Sequence, residues 1–358
     1  MGTIITSSAT TAQPQGRRRK KGLGFWTGRI LLGLVIALVA LAATGAIYQA
    51  VATAIDGQVY PPPGQLVDVG GYRLHITCEG TGSPTVILLH GNGGTSLDWY
   101  GVQPAIATTT RVCAYDRAGI GWSDAGPGPQ DAQQIVRELH TLLTNAGIAP
   151  PYVLVGHSFG GLYTRVYADQ YPDEVMGMVL VDAAHPDMWA RTPGGQDIYT
   201  SSVQMGGILA ALAPLGITRL QANTTQLPPN YDMPPARYAE YQALRSSTRS
   251  WHAALAELRA NPATMDQVRA TGSLGAMPLV VLTARGDHTQ GGQPAVEVEQ
   301  LHVALQNELA ALSTNSTHRI VEGSDHQSLQ FNATHASVTS AAIQAVVEAT
   351  RSGQPLAQ

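Results

Sequence analysis

The residues best suited to chemistry form the run Gly156-His157-Ser158-Phe159-Gly160. It follows an apolar segment at 152–155 that is typical of a strand, and it precedes a helical pattern over 160–170. A Gly-x-Ser-x-Gly turn between a strand and a helix is so tight that larger side chains at the glycine positions would clash, and it holds the serine hydroxyl at the edge of the sheet. The start of the helix also favours developing negative charge. The pattern predicts Ser158 as a nucleophile.

Apolar runs bounded by glycine and proline recur along the chain and predict the strands that must position this serine. They are 66–69, 72–78, 85–89, 111–115, 152–155, 176–181, 279–283 and 318–321. Most are continuous rather than alternating, as expected for strands covered on both faces. Helical patterns lie between them, at 132–146, 160–170, 296–312 and 338–351. A hairpin followed by alternating strands and helices indicates an α/β fold with a mostly parallel sheet.

Two other segments complete the predicted organisation. Residues 186–277 contain helical stretches but no strand-like run, and are too long for a simple loop, so they predict an inserted helical cap. Residues 53–65 include Pro61-Pro62-Pro63 and predict a stiff linker. The core is then formed by 66–185 together with 278–352.

The amino-terminal region has the character of a membrane anchor. Residues 30–52 are apolar and uncharged, and about 20 such residues cross a bilayer as a helix. All charged residues of segment 1–29 are basic, so the positive-inside rule predicts a cytoplasmic tail there and an extracytoplasmic remainder. The alternative is a signal peptide cleaved after Ala52, although secretory apolar regions usually have about 7–15 residues. Both interpretations export the core.

The charge balance excludes one class of partner. Beyond Arg29 the chain has 15 basic and 25 acidic residues, a net charge of about −10. The phosphate backbone of a nucleic acid would repel such a domain. The chain also lacks a His-Glu-x-x-His motif, clustered Cys and His residues, and a Gly-x-Gly-x-x-Gly after the first strand, so neither a metal nor a cofactor is predicted.

Four motifs, in this order, resemble those of the α/β-hydrolase superfamily across about residues 66–350. They are TVILLHGNGG at 85–94, YDRAGIGWSD at 115–124, GHSFG at 156–160 and GSDH at 323–326. The runs GLYTRVYADQYPDEV and LVDAAHPD further resemble a group of exported, esterase-like members. The resemblance implies the α/β-hydrolase fold, with eight strands ordered 1-2-4-3-5-6-7-8.

The resemblance also implies roles for the residues that would assist Ser158. His326 follows the last strand and matches the family's late base, which activates the weakly nucleophilic serine. Asp287, just past strand 7, is the expected acid, and Asp182 at the end of strand 6 is the alternative. Backbone N–H groups of Phe159 and Asn92 are the expected donors to the oxyanion of a tetrahedral intermediate.

The implied strand order brings strand 2 beside strand 4, which carry Cys78 and Cys113 respectively. These are the only two cysteines of the chain. Because a cysteine pair outside the cytoplasm can oxidise and persist, we expect a disulfide between them. Two buried free thiols are the alternative.

The expected reaction is hydrolysis of an ester, or of an amide or lactone, through an acyl-enzyme on Ser158. Cofactor-free haloperoxidases and carbon–carbon bond hydrolases use the same triad and are alternatives. Epoxide hydrolases and haloalkane dehalogenases are disfavoured, because their nucleophile is an aspartate. The alternative from another class is an inactive, membrane-anchored binding or signalling protein.

Overall fold

The computed structural model describes residues 1–5, 23–286 and 296–356. The chain divides into two compact units, Met1–Thr44 and Gly45–Gln358. A long helix, α1, runs from Leu23 to Val59; its residues before Gly45 belong to the first unit and the others to the second. Its segment Trp26–Val59 is long and apolar enough to cross a membrane, with a mean hydropathy of 2.7.

The α1 helix is longer than the predicted span of residues 30–52. It continues through residues 53–59, where a linker is predicted, and ends just before Pro61-Pro62-Pro63. Proline has no backbone N–H to donate and restricts the residue before it to extended conformations, so three in succession terminate the helix. The connection to the first strand is therefore only five residues long, from 60 to 64.

The second unit is built on a single eight-stranded sheet, as far as the described residues go. Its strands are β1 (Gln65–Asp68), β2 (Arg73–Glu79), β3 (Thr85–Leu89), β4 (Val112–Tyr115), β5 (Tyr152–His157), β6 (Val175–Val181), β7 (Leu279–Arg285) and β8 (Ser316–Glu322). Their order, β1-β2-β4-β3-β5-β6-β7-β8, confirms the prediction. The pairs β1–β2 and β2–β4 are antiparallel, and every other pair is parallel.

The register of the antiparallel pair β2–β4 sets Cys78 directly opposite Cys113. The two sulfur atoms are bonded, which confirms the predicted disulfide. The bond joins β2, the strand next to the edge strand β1, to its neighbour β4.

Helices cover both faces of the sheet. They are α2 (Gln103–Ala107), α3 (Ala132–Asn145), α4 (Gly160–Gln170), α10 (Val296–Ala310), α11 (Ser328–Phe331) and α12 (Ala333–Ser352). Alternate residues of one strand enter different cores: Val86 and Leu88 pack with α2 and α12, while Ile87 and Leu89 pack with α3 and α4. This double coverage accounts for the continuous apolar runs, because each fully buried side chain contributes about 1.5–3 kcal/mol.

Residues 186–277 form a helical insertion, as predicted. Its five α-helices are α5 (Met188–Arg191), α6 (Gly195–Leu212), α7 (Ile217–Thr224), α8 (Pro235–Arg245) and α9 (Thr248–Arg269). We call residues 186–277 the cap. The insertion leaves the sheet after β6 and returns at β7, at the edge where Ser158 lies.

Candidate active site

The Ser158 turn is a strained connection between β5 and α4. Ser158 has a φ angle of 54°, in the left-handed region that L-residues rarely adopt. A Cβ atom on Gly156 would overlap the backbone of Gly160, and one on Gly160 would overlap the carbonyl oxygen of Leu89. The glycines are therefore required by the close packing of this turn against neighbouring backbone, as the motif predicts.

Backbone hydrogen bonds hold the strained residue in place. The N–H of Ser158 donates to the carbonyl of Val181 at 3.2 Å, and the carbonyl of Ser158 accepts from Gly161 and Ala184 at 3.1 and 3.0 Å. The turn is thus fastened to the carboxyl end of β6. Strain of this kind persists only where the surroundings over-determine the conformation.

His326 follows β8 and its ring meets a carboxylate. The Nδ1 atom lies 2.5 Å from Oδ2 of Asp182, while the side chain remains 40% exposed. The carbonyl of His326 accepts from Nε2 of His157 at 2.7 Å. Burial lowers the pKa of His157 to about 3, so this ring is neutral and carries its proton on Nε2. A histidine of the serine motif therefore fixes the backbone of the predicted base.

Asp182 terminates β6 and is buried. Its two oxygens have separate donors, with His326 on Oδ2 and both Nε2 of His302 (2.9 Å) and the N–H of Ala284 (3.0 Å) on Oδ1. Burial alone would raise the pKa of this carboxyl, but hydrogen bonds from the two histidines hold it well below its usual range. Asp287, the acid favoured from the sequence, lies outside the described residues.

His302 is a site residue that the motifs do not identify. It lies on α10 and bonds the carboxylate that also bonds His326. One signal is present in the sequence: His302 shares a helical face with Leu305, Gln306 and Leu309, all of which are buried. A histidine on the inward stripe of a helix next to β7 is a candidate partner for a buried acid.

The two predicted oxyanion donors lie beside the serine. Among the described residues, no acceptor takes a hydrogen bond from the backbone N–H of Asn92 or of Phe159. The Asn92 side chain is anchored instead, donating to the carbonyl of Ala254 and to Glu257, both at 3.0 Å. The backbone of this turn is therefore held by the cap while both N–H groups remain available.

A buried ion pair also holds the turn that contains Asn92. The Arg117 guanidinium pairs with Glu257 at 2.7 Å and donates to the carbonyls of His90 and Gly91 at 2.7 Å. The carboxylate of Glu257 raises the pKa of Arg117 despite complete burial, so the arginine stays charged. Helix α9 of the cap thus fastens the turn after β3 to the loop after β4.

The predicted site residues other than Asp287 line one pocket of about 400 Å³. A second pocket of about 310 Å³ shares Asp182, His302 and His326 with it. The walls of the first are mostly apolar or uncharged and come from the segment after β6, the cap and α10. They include Ala184, Met188, Trp189, Ser202, Leu258, Leu305 and Gln306.

Comparisons with known proteins agree with this architecture. The family model of the α/β-hydrolase fold matches residues 84–291, more than half of the chain. The Bacillus subtilis protein YqjL is 36% identical over 123 residues, which cover 34% of this chain and 49% of that protein. A vacuolar membrane protein of Saccharomyces cerevisiae is 32% identical over 135 residues, covering 33% of this chain and 21% of that protein. The chain thus spans half or less of these relatives.

Two solved structures share the fold at low sequence identity. A thermophilic esterase from Thermogutta terrifontis has a TM-score of 0.59 and 20% identity, with 80% of this chain and 97% of that chain covered. The enol-lactonase from Burkholderia xenovorans has a TM-score of 0.57 and 19% identity, with 79% and 100% covered. The protein belongs to the α/β-hydrolase fold family.

Proposed function

We propose that the protein is a serine hydrolase that cleaves esters through an acyl-enzyme, with Ser158 as nucleophile, His326 as base and Asp182 as acid. The observation that carries the proposal is the hydrogen bond of 2.5 Å between His326 and a buried, ionised Asp182, in a pocket that also contains Ser158. An ionised acid orients the imidazole and stabilises it once protonated.

The reaction proceeds in two steps. His326 accepts the Ser158 proton on Nε2 while Oγ attacks the ester carbonyl, and the oxyanion that forms accepts from the N–H groups of Asn92 and Phe159. His326 then donates its proton to the leaving alcohol, which departs as the acyl-enzyme forms. A water molecule, activated by the same histidine, releases the acid and regenerates Ser158.

The pocket walls favour an uncharged, apolar substrate. Met188, Trp189, Leu258 and Leu305 contribute apolar surface beside the proposed nucleophile. Burying apolar substrate surface there is worth about 25 cal/mol per Å² removed from water. We therefore propose an ester with an apolar acyl or alcohol group.

Covalent labelling by a fluorophosphonate probe tests the nucleophile. The full-length chain in detergent should be labelled, and Ser158→Ala should abolish labelling, because the probe reacts only with an activated serine. Ser202→Ala is the matched control, since Ser202 lines the same pocket and should leave labelling unchanged. The proposal fails if the wild type is not labelled, the result that an inactive binding protein would give, or if Ser158→Ala is labelled equally.

Paired asparagine substitutions test the acid. Asp182→Asn should lower kcat on a p-nitrophenyl ester by about 10⁴-fold, the effect expected when the histidine loses its correct tautomer. Asp287→Asn should leave kcat within a few-fold of wild type. The reverse pattern would assign the acid to Asp287.

We also propose that α1 is a retained membrane anchor and that the second unit lies outside the cytoplasm. Cleavage after Ala52 would remove Gln49, a buried residue whose side chain accepts from Arg219 of α7 at 2.9 Å and donates to the carbonyl of Ser246 at 3.0 Å. A retained helix preserves these contacts. The disulfide supports an oxidising compartment, because cytoplasmic thiols are normally kept reduced.

A further inference from the structure

One surface of the cap is almost without charge. Residues 195–225, which include α6 and α7, contain only two charged residues, Asp197 and Arg219. Arg219 is buried, so Asp197 is the sole charge that this segment presents to its surroundings. Soluble domains ordinarily distribute charged side chains over about 25–35% of their surface. This segment therefore carries far fewer charged side chains than the surface of a typical soluble domain.

The same surface exposes large apolar side chains, each between 43% and 55% accessible. They are Ile198, Met205 and Ile208 on α6, and Ile217 and Leu220 on α7. We call these five residues the apolar cap surface. Exposed apolar surface of this extent marks a site of contact with another apolar phase.

Residues 215–219, between α6 and the middle of α7, contact the last turns of α1. Gly45 packs so closely on the carbonyl of Leu215 that a Cβ atom there would overlap it. Four residues further on, the Gln49 side chain accepts from Arg219, which also pairs with Asp56 at 2.5 Å. This end of α1 therefore runs alongside α7 and is fastened to it by a buried arginine.

The length of α1 sets the level of the membrane. The part that precedes Gly45 runs from Leu23 to Thr44, and 22 residues of α-helix extend about 33 Å. The hydrocarbon core of a bilayer is about 30 Å thick. The stretch before Gly45 is thus long enough to span the core, so Gly45 directly follows a segment of membrane-spanning length, and Gly45 itself contacts Leu215 of the cap.

We infer that the apolar cap surface rests on the lipid bilayer, with its five side chains inserted in the interfacial region. The occupant is lipid because the surface is apolar and nearly uncharged, and because the neighbouring residues 215–219 contact residues 45–56, which directly follow a segment of membrane-spanning length. This inference rests on the proposed anchor and deepens the proposed function. Helix α6 also contributes Ser202 to the wall of the Ser158 pocket, so the pocket opens beside the membrane and takes water-insoluble esters dissolved in the bilayer.

Depth-sensitive fluorescence tests the contact. The cysteines of the wild type are tied in a disulfide, so an introduced cysteine can be labelled selectively with an environment-sensitive dye. Met205→Cys and Leu220→Cys report on the surface, Met176→Cys in β6 is the matched exposed control, and Val35→Cys in α1 reports on the anchor. The full-length chain is placed in phosphatidylcholine nanodiscs, one copy per disc, with and without brominated lipid.

We expect brominated lipid to quench the dye at 205 and 220, and aqueous iodide to quench it at 176. Iodide quenching at 205 and 220 as strong as at 176, with lipid quenching at 35, overturns the contact but leaves the anchor intact. Iodide quenching at 35 overturns the anchor itself. Protection at 205 and 220 from both quenchers would assign the surface to a protein partner and overturn the inference.

Activity provides a second readout. Leu220→Glu should lower kcat/KM for a long-chain ester embedded in vesicles and leave turnover of a soluble p-nitrophenyl ester unchanged, because the introduced charge opposes insertion at the membrane. Met176→Glu should change neither. Equal activity of Leu220→Glu and wild type on the vesicle-borne ester would overturn the substrate route.

Discussion

Asp182 links two histidines of the candidate site. One buried carboxylate accepts from two histidines on different elements, His326 after β8 and His302 on α10. Because each oxygen has its own histidine donor, the carboxylate cannot rotate without losing a bond. A fixed carboxylate in turn fixes the His326 ring, so His302 is a positioning residue for the base in the proposed reaction.

The substitution His302→Gln should reduce thermal stability more at acidic than at alkaline pH. The hydrogen bond to Asp182 raises the pKa of His302 although burial opposes this, so the folded state binds its proton more tightly than the unfolded state. The resulting stabilisation is fully present below the unfolded pKa of about 6.5 and is lost as the pH rises through the folded pKa. The variant should therefore lower Tm more at about pH 5.5 than at about pH 9.

The matched control is His252→Gln, an exposed histidine that bonds a backbone carbonyl within its own helix. It should leave the pH dependence of Tm unchanged. A Tm loss for His302→Gln that is equal at both pH values, or larger at the alkaline one, would contradict the assignment. A positioning role also predicts a lower kcat with an unchanged KM.

The individual residues differ in how far the sequence identifies them. Ser158 and its glycines are defined by neighbouring positions, because the turn imposes local steric requirements. The partner of His326 is not local, since Asp182 is 144 positions away in the chain, and two carboxylates satisfy the expected chain order. His302 has no motif, and only the packing of α10 brings it to the acid.

Among the elements, α9 connects the cap to the site. Glu257 on this helix pairs with buried Arg117 and accepts from Asn92, so one side chain holds both loops that flank the serine turn. The helix then continues past Pro262 to the core, where Val268 and Met265 pack with α3 and α4. The cap therefore holds the turn that carries the proposed oxyanion donor Asn92.

Glu257→Gln should cost both stability and turnover. It leaves the Arg117 charge buried without its carboxylate, and breaking a buried pair in this way costs about 3–5 kcal/mol. The Asn92 turn also loses a charged anchor, so kcat on a soluble ester should fall with little change in KM. Thermal unfolding and steady-state kinetics of the full-length chain measure the two effects.

Asp266→Asn on the same helix is the matched control, because its side chain is 79% exposed and its ion pair with Arg269 is at the surface. Such a pair contributes about 0–1 kcal/mol, so Tm and kcat should stay near wild type. An unaltered Tm in Glu257→Gln would show that the buried pair does not hold the turn.

Sequence patterns predict most strands and helices of the core, whereas they do not delimit helices α6 and α7 of the cap. Strands and helices of the sheet carry long apolar runs, and the structure confirms the predicted strand order. Sequence patterns do not delimit helices α6 and α7, because α6 is rich in apolar and small residues without a clear polar face, and α7 has only eight residues, a length at which an isolated helix is marginal in water. Packing stabilises them: Tyr199 of α6 donates to the carbonyl of Leu258 on α9, and Arg219 of α7 pairs with Asp56.

At the scale of the whole molecule, two independent features support the proposed topology. The basic run at 17–21 precedes α1, and the disulfide lies in the second unit. The positive-inside rule concerns the first, and the redox state of compartments concerns the last. Both therefore support the proposed placement of the second unit outside the cytoplasm, because cytoplasmic thiols are normally kept reduced.

Cysteine accessibility in spheroplasts tests this topology. Ile4→Cys and Asp266→Cys place one free thiol at an exposed position in each unit, while the disulfide leaves the native cysteines unreactive. A membrane-impermeant maleimide should label Asp266→Cys in intact spheroplasts and Ile4→Cys only after permeabilisation, because a retained helix of this polarity keeps the amino terminus inside. Labelled Asp266→Cys in the medium would indicate cleavage, and the opposite labelling order would reverse the orientation of the anchor.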